Sequence, residues 1–145
     1  MVKGEELKQM AKDRLAEAEL MCNHSFFQGA YYIAGYAVEF SLKALICKRL
    51  GVDVFAPRGP GGEGSPAVVR SSLQIHDLPA LLVFAGLQPA LREIKVNDID
   101  LFRAWSSVSE WTEQRRYQPL ACSEQTVLKF LKSVKIIIQW VESHY

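Results

Sequence analysis

Three scarcities narrow the possibilities before any motif is read. Cysteine occurs three times in 145 residues, at Cys22, Cys47 and Cys122, far apart and without a CxxC or Cys/His ligand spacing. Neither a disulfide framework nor a zinc site follows, and free buried thiols in a reducing cytoplasm are the expectation. Histidine also occurs only three times, and no His stands in a recognisable Ser or Cys nucleophile motif, which argues against a triad hydrolase. Excess charge of either sign is missing as well. Seventeen Lys and Arg against sixteen Asp and Glu leave a net +1, so any contact with nucleic acid must be local rather than driven by the whole surface.

Long uncharged apolar runs are absent too. The most apolar stretch, Phe26 to Cys47, carries Gln28, Glu39 and Lys43 in its interior, so it reads as a core helix and not as a membrane span. The N-terminal stretch MVKGEELKQMAKDRLAEAE is too charged for the apolar centre of a signal peptide, and a cytoplasmic location is expected. No metal or cofactor is called for by the residues. The glycines of GPGGEGSP lack both the Gly-Lys-Ser/Thr and the preceding strand of a phosphate-cradling loop.

What is present is helical periodicity. From Glu5 to Cys22, Leu7, Met10, Ala11, Leu15, Ala18, Met21 and Cys22 recur at steps of three and four. A second helix, capped at Ser25, is expected to reach about Leu50. Its small residues Ala30, Ala34, Ala37, Ser41 and Ala44 line one stripe, with bulky residues on both flanks. A helix apolar on most of its circumference must be surrounded, so this one is expected at the centre of a bundle. Gly29 and Gly35 within it mark close approach by a neighbour, with packing the favoured reason. Residues 51–73, containing APRGPGGEGSP, are expected to form a long flexible loop or insertion.

Asp77 then offers a cap, Pro79 fits a first turn and Gly86 supplies a stop, giving a short third helix. After another turn from Pro89 to Lys95, Asn97 or Asp98 caps a helix bearing Leu101, Phe102, Trp105, Val108 and Trp111. Pro119 interrupts, and Ser123 caps a last helix with a clean stripe from Val127 to Val141. No segment alternates with a period of two. The expected fold is all-α: an antiparallel, up-and-down bundle of about five helices in a single domain spanning residues 1–145.

Candidate functional residues fall in three places. Glu39 and Lys43 stand four apart with the acid first, the better orientation for a helical ion pair that either locks the bundle or lines a cleft. Arg115, Arg116 and Tyr117 stand where a helix ends before a proline-limited turn, and could offer guanidinium forks and an aromatic face to phosphate and base. His76 stands beside the Asp77 cap, six residues after Arg70.

The stretch GAYYIAGYAVEFSLKALICKR, residues 29–49, resembles the second helix of the HEPN family. The likeness rests on Gly29 to Tyr32, Ala34 to Tyr36, Glu39 and Leu42 to Leu45. RLAEAE before it, HDLPAL from His76, the Arg116–Tyr117 turn and the apolar last helix extend it along the chain. The resemblance implies a four- or five-helix bundle, frequent homodimers, a nucleotide-binding role and a nucleotidyltransferase as a possible partner. Many members of the family are metal-independent ribonucleases of toxin-antitoxin systems, with an Arg followed four to six residues later by a His in the C-terminal half. Such a His can take the 2′-OH proton while the Arg stabilises phosphate charge. Here only Arg70 and His76 meet that spacing, and they lie before the third helix. Arg103, Arg115 and Arg116 in the C-terminal half have no His at the required distance. A non-catalytic, dimeric nucleotide- or RNA-binding module is therefore the preferred expectation, with a ribonuclease toxin and a ligand-free helical scaffold as the alternatives.

Overall fold

The computed structural model describes residues 3–114 and 123–145. Among them are seven α-helices: α1 (Gly4–Asn23), α2 (Phe27–Leu50), α3 (Ala67–Leu73), α4 (Leu78–Phe84), α5 (Gln88–Asn97), α6 (Ile99–Ser109) and α7 (Glu124–Glu142). The described residues contain no strand, and the fold is an all-α bundle.

The expected caps explain three of the seven helix starts. Asp77 accepts the Ala80 N–H at 3.0 Å, Asp98 accepts that of Leu101 at 3.1 Å, and Ser123 accepts that of Thr126 at 3.2 Å. Each satisfies a backbone donor that the first turn leaves open. Ser25 does not act as a cap. It takes a left-handed φ of 65° in the tight α1–α2 turn, where the Phe26 N–H donates to Met21 O at 2.8 Å. Reversing the chain over so few residues requires the unusual backbone, and the residue that precedes α2 is Phe26.

Gly4 lies against Cys47 and Gly29 against Met21, so α1 and α2 run antiparallel. The last helix follows α2 in the same direction. Tyr31 stacks on Phe130 at 4.1 Å near one end, and the Tyr145 hydroxyl donates to Ser41 O at 3.2 Å near the other. Lys135 pairs with Glu19, and the Lys8 ammonium sits over the Tyr145 ring at 4.6 Å, so α7 is antiparallel to α1. Between them α1 and α7 cover the small stripe: Ala30, Ala34, Ala37, Ser41 and Ala44 are all buried, as are Leu42, Leu45 and Ile46. Removing each of these larger side chains from water stabilises the fold by about 1.5–3 kcal/mol.

The helix count exceeds the expected five in two places. Ala67–Leu73, at the end of the stretch read as loop, is the helix α3, and a full ten-residue α5 stands where only a turn was expected. No residue of α5 is fully buried, but Ala90, Leu91 and Ile94 pack against the core from its edge. The stretch before α3 is tied together by its own backbone. The Gly59 N–H donates to Glu63 O at 2.8 Å, and the Ser65 N–H donates to Ala56 O at 2.9 Å. Gly64 has a φ of 73° with the Pro57 carbonyl where a Cβ would sit, a position only glycine can fill without displacement.

Ala37 is completely buried on the stripe. Ala37→Leu is expected to destabilise the protein by roughly 1–3 kcal/mol, because the added volume has no space to enter. Denaturant unfolding reads this directly, and an unchanged midpoint would place this face of α2 outside the packed interior.

Candidate functional site

Helical spacing places Tyr32, Tyr36, Glu39 and Lys43 along one side of α2. Glu39 is only 1% exposed, yet its carboxylate has two cationic or donor partners. Lys43 Nζ lies 2.8 Å from Oε1, and His76 Nδ1 lies 3.1 Å and 3.0 Å from Oε1 and Oε2. On its other side, His76 Nε2 is 2.7 Å from Glu113 Oε2. The result is a continuous chain, Lys43–Glu39–His76–Glu113, joining α2, the residue before the α4 cap and the segment after α6. The protonated imidazole is a donor at both nitrogens, and that form satisfies both carboxylates at once.

Aromatic side chains enclose this chain. The Tyr36 ring meets His76 edge-on at 5.9 Å and Trp111 at 5.1 Å, and its hydroxyl is 2.9 Å from that of Tyr32. Burial first, then the hydrogen bond to Tyr32 and the negative charges of Glu113 and Glu39, raise the Tyr36 pKa well above the ordinary tyrosine value. The phenol is therefore a neutral hydrogen-bonding group. Trp111 reaches this position because Gly35 has no side chain: a Cβ there would lie 1.9 Å from Cε2 of the indole. Close approach at Gly35 was legible in the sequence, and the approaching group is this ring. Lys43 Nζ also sits 5.2 Å from the centre of the Phe55 ring.

The structure brings Glu39, Lys43 and His76 together. It gives Arg70 a different partner: Nη1 donates to Ser65 O at 2.5 Å, fastening α3 to the preceding stretch. Arg115, Arg116 and Tyr117 lie outside the described residues; in the chain, Arg115 is two residues beyond Glu113. Sequence reasoning did not single out Glu113. Nothing local marks its pairing with His76, since the two are brought together only by the fold. Tyr32 and Tyr36 could have been found from their three- and four-residue steps to Glu39.

Among the described residues no three His, Cys, Asp or Glu side chains are grouped to hold a metal ion, and no helix is long and apolar enough to cross a membrane. A separate cleft of about 400 Å³ lies between the start of α1 and the end of α2, lined by Lys8, Cys47, Lys48, Asp53 and Tyr145. Burial pushes the Cys47 thiol pKa up, so this cysteine is not an activated nucleophile.

The family model of the HEPN domain matches residues 5–54. The similarity to that family covers α1, α2 and the four residues after α2. The match contains Glu39 and Lys43, while His76 and Glu113 lie beyond it. No curated protein and no solved structure matches the chain.

Lys43→Met is expected to destabilise the bundle by about 3 kcal/mol, because Glu39 keeps its buried charge and loses its ammonium partner. Glu39→Met added to it removes the stranded charge and should recover part of that loss. A double variant less stable than Lys43→Met alone, in urea unfolding, would contradict this account.

Proposed function

We propose that the protein is a dimeric, non-catalytic HEPN module that binds a nucleotide or an RNA phosphate in the cytoplasm and pairs with a nucleotidyltransferase. The HEPN match supports a nucleotide- or RNA-associated role in general. The observation that favours binding over cleavage is the engagement of the ribonuclease-spaced pair. The Arg70 guanidinium holds Ser65 O, and both ring nitrogens of His76 face carboxylates. A general base needs a free ring nitrogen and a cation beside the phosphate. In this reading, Arg115, Arg116 and Tyr117, which closely follow Glu113 in the chain, supply the phosphate and base contacts. Exposed Leu20, Phe26 and Leu128 supply apolar surface suited to a second copy.

One observation favours a second reading, a ribonuclease of a toxin-antitoxin system: the His76 side chain is 43% exposed and is oriented from behind by a buried carboxylate. A single set of measurements separates the two. ATP, GTP and a short single-stranded RNA are titrated at fixed salt into the wild type, Arg115→Ala, Arg116→Ala, the double variant, Arg70→Ala and His76→Ala, each checked for folding. RNA integrity is followed in the same samples, and sedimentation reports the oligomeric state. The expected result is a dimer whose ligand affinity falls roughly ten- to a hundredfold on loss of Arg116 or Arg115, the scale of one charge-assisted phosphate contact. Arg70→Ala should have a smaller effect, and the RNA should remain intact. RNA cleavage by the wild type that both Arg70→Ala and His76→Ala abolish would establish the ribonuclease instead.

A further inference from the structure

Beside the polar chain, α2 carries a row of half-buried aromatic side chains one turn apart: Tyr32, Tyr36 and Phe40. Tyr32 and Tyr36 meet edge to face at 5.1 Å and 85°, and the Tyr36 and Phe40 rings lie 5.9 Å apart at 32°. Trp111, buried and seated on Gly35, supports the row, with its ring centroid 5.1 Å from that of Tyr36 and 6.2 Å from that of Tyr32. The three rings thus have a close-packed support and remain partly open to solvent.

The fold does not use up the hydroxyls of this row. The Tyr32 and Tyr36 oxygens are 2.9 Å apart. Each phenol has one proton, so their contact consumes one proton of two, whichever ring donates. Among the described residues neither hydroxyl has a further hydrogen-bond partner, and one O–H is left over for solvent or a ligand. The neighbouring polar groups are already committed: Lys43 to Glu39, and His76 at both nitrogens to Glu39 and Glu113.

The surroundings select what this O–H can meet. Burial, the Tyr32 hydrogen bond and then the negative charges of Glu113 and Glu39 keep the Tyr36 phenol protonated. A phosphate here would add a further negative charge beside two carboxylates, whereas an uncharged acceptor would not. A planar, uncharged heterocycle meets both requirements. It stacks on an aromatic row as in open single-strand binding surfaces, and every nucleobase has a carbonyl oxygen or ring nitrogen to accept the hydrogen bond.

We propose that the Tyr32–Tyr36 hydroxyl pair, with the aromatic row on α2, forms a nucleobase subsite. The proposal rests on the reading of the protein as a nucleotide- or RNA-binding module, and it names where the base is held. It keeps the His76–Glu113 contact in place and leaves the phosphate to Arg115 and Arg116.

The test compares wild type, Tyr32→Phe, Tyr36→Phe, the double variant and Tyr145→Phe, a phenol elsewhere in the fold, after each is shown to be folded. The double variant keeps both rings and removes both hydroxyls, so it strands neither. The probes are 5′-AMP, 5′-UMP, ribose 5-phosphate, which has no base, and adenosine, which has no phosphate. Affinity is read by titration at fixed salt, with ligand-detected saturation-transfer NMR for adenosine. The double variant is expected to bind AMP and UMP roughly tenfold more weakly, the scale of one lost hydrogen bond. It should also lose most of the adenosine signal and bind ribose 5-phosphate as wild type does. Each single variant keeps one hydroxyl and is expected to fall between, and Tyr145→Phe to match wild type. An equal loss for ribose 5-phosphate would place the hydroxyls on sugar or phosphate and overturn the base assignment. Unchanged AMP and UMP affinities in the double variant would overturn it too, while leaving the module reading to the Arg115 and Arg116 titrations. Tyrosine-dependent binding of adenosine without any binding of ribose 5-phosphate would support the base subsite and remove the phosphate part of the module reading. Binding of no probe by the wild type would overturn both.

Discussion

A carboxylate taken out of water must be compensated at close range or it destabilises the state that buries it. Glu39 is almost completely buried in the middle of the most enclosed helix, and much of the surrounding architecture supplies that compensation. Lys43 comes from the next turn of the same helix. His76 comes from the start of α4, so the position of α4 against α2 is coupled to the charge on Glu39. Glu113 then ties the segment after α6 to the same imidazole. A single buried acid thereby links three parts of the chain that are distant in sequence.

Such a link needs a stiff support. The small stripe of α2 lets α1 and α7 approach closely, and Gly35 lets the Trp111 ring lie directly on the helix backbone. Close packing leaves few alternative positions for the side chains at the centre. The polar chain is consequently held in a fixed geometry at its buried end, Lys43 and Glu39, and reaches solvent at its other end, Glu113.

How much of this was legible in the sequence depended on the range of the interaction. The α1, α2 and α7 stripes, the caps at Asp77, Asp98 and Ser123, and the Glu39–Lys43 pair all follow from steps of three or four residues, which a helix makes into neighbours. The turn at Ser25 was misread because the local preference of serine for capping yielded to the demand for a left-handed residue in a tight reversal. Helix α3 was hidden by the glycines and prolines that precede it, whereas the short Ala90, Leu91 and Ile94 stripe of α5 was there to be read and was taken for a turn. The Glu39–His76 and His76–Glu113 contacts had no local signature at all. Arg70 and His76 showed the opposite case: the spacing was present, but each side chain found another partner once the chain folded.

The measurement closest to the centre of this account is a double-mutant cycle between Glu39→Gln and His76→Ala, read by denaturant unfolding. If the buried carboxylate and the imidazole are bound as the 3.0 Å contact indicates, the two losses should couple by at least about 1 kcal/mol, the double variant being less destabilised than the sum. Additivity within about 0.3–0.5 kcal/mol would mean that Glu39 does not hold His76, and the polar chain built on that contact would have no energetic basis.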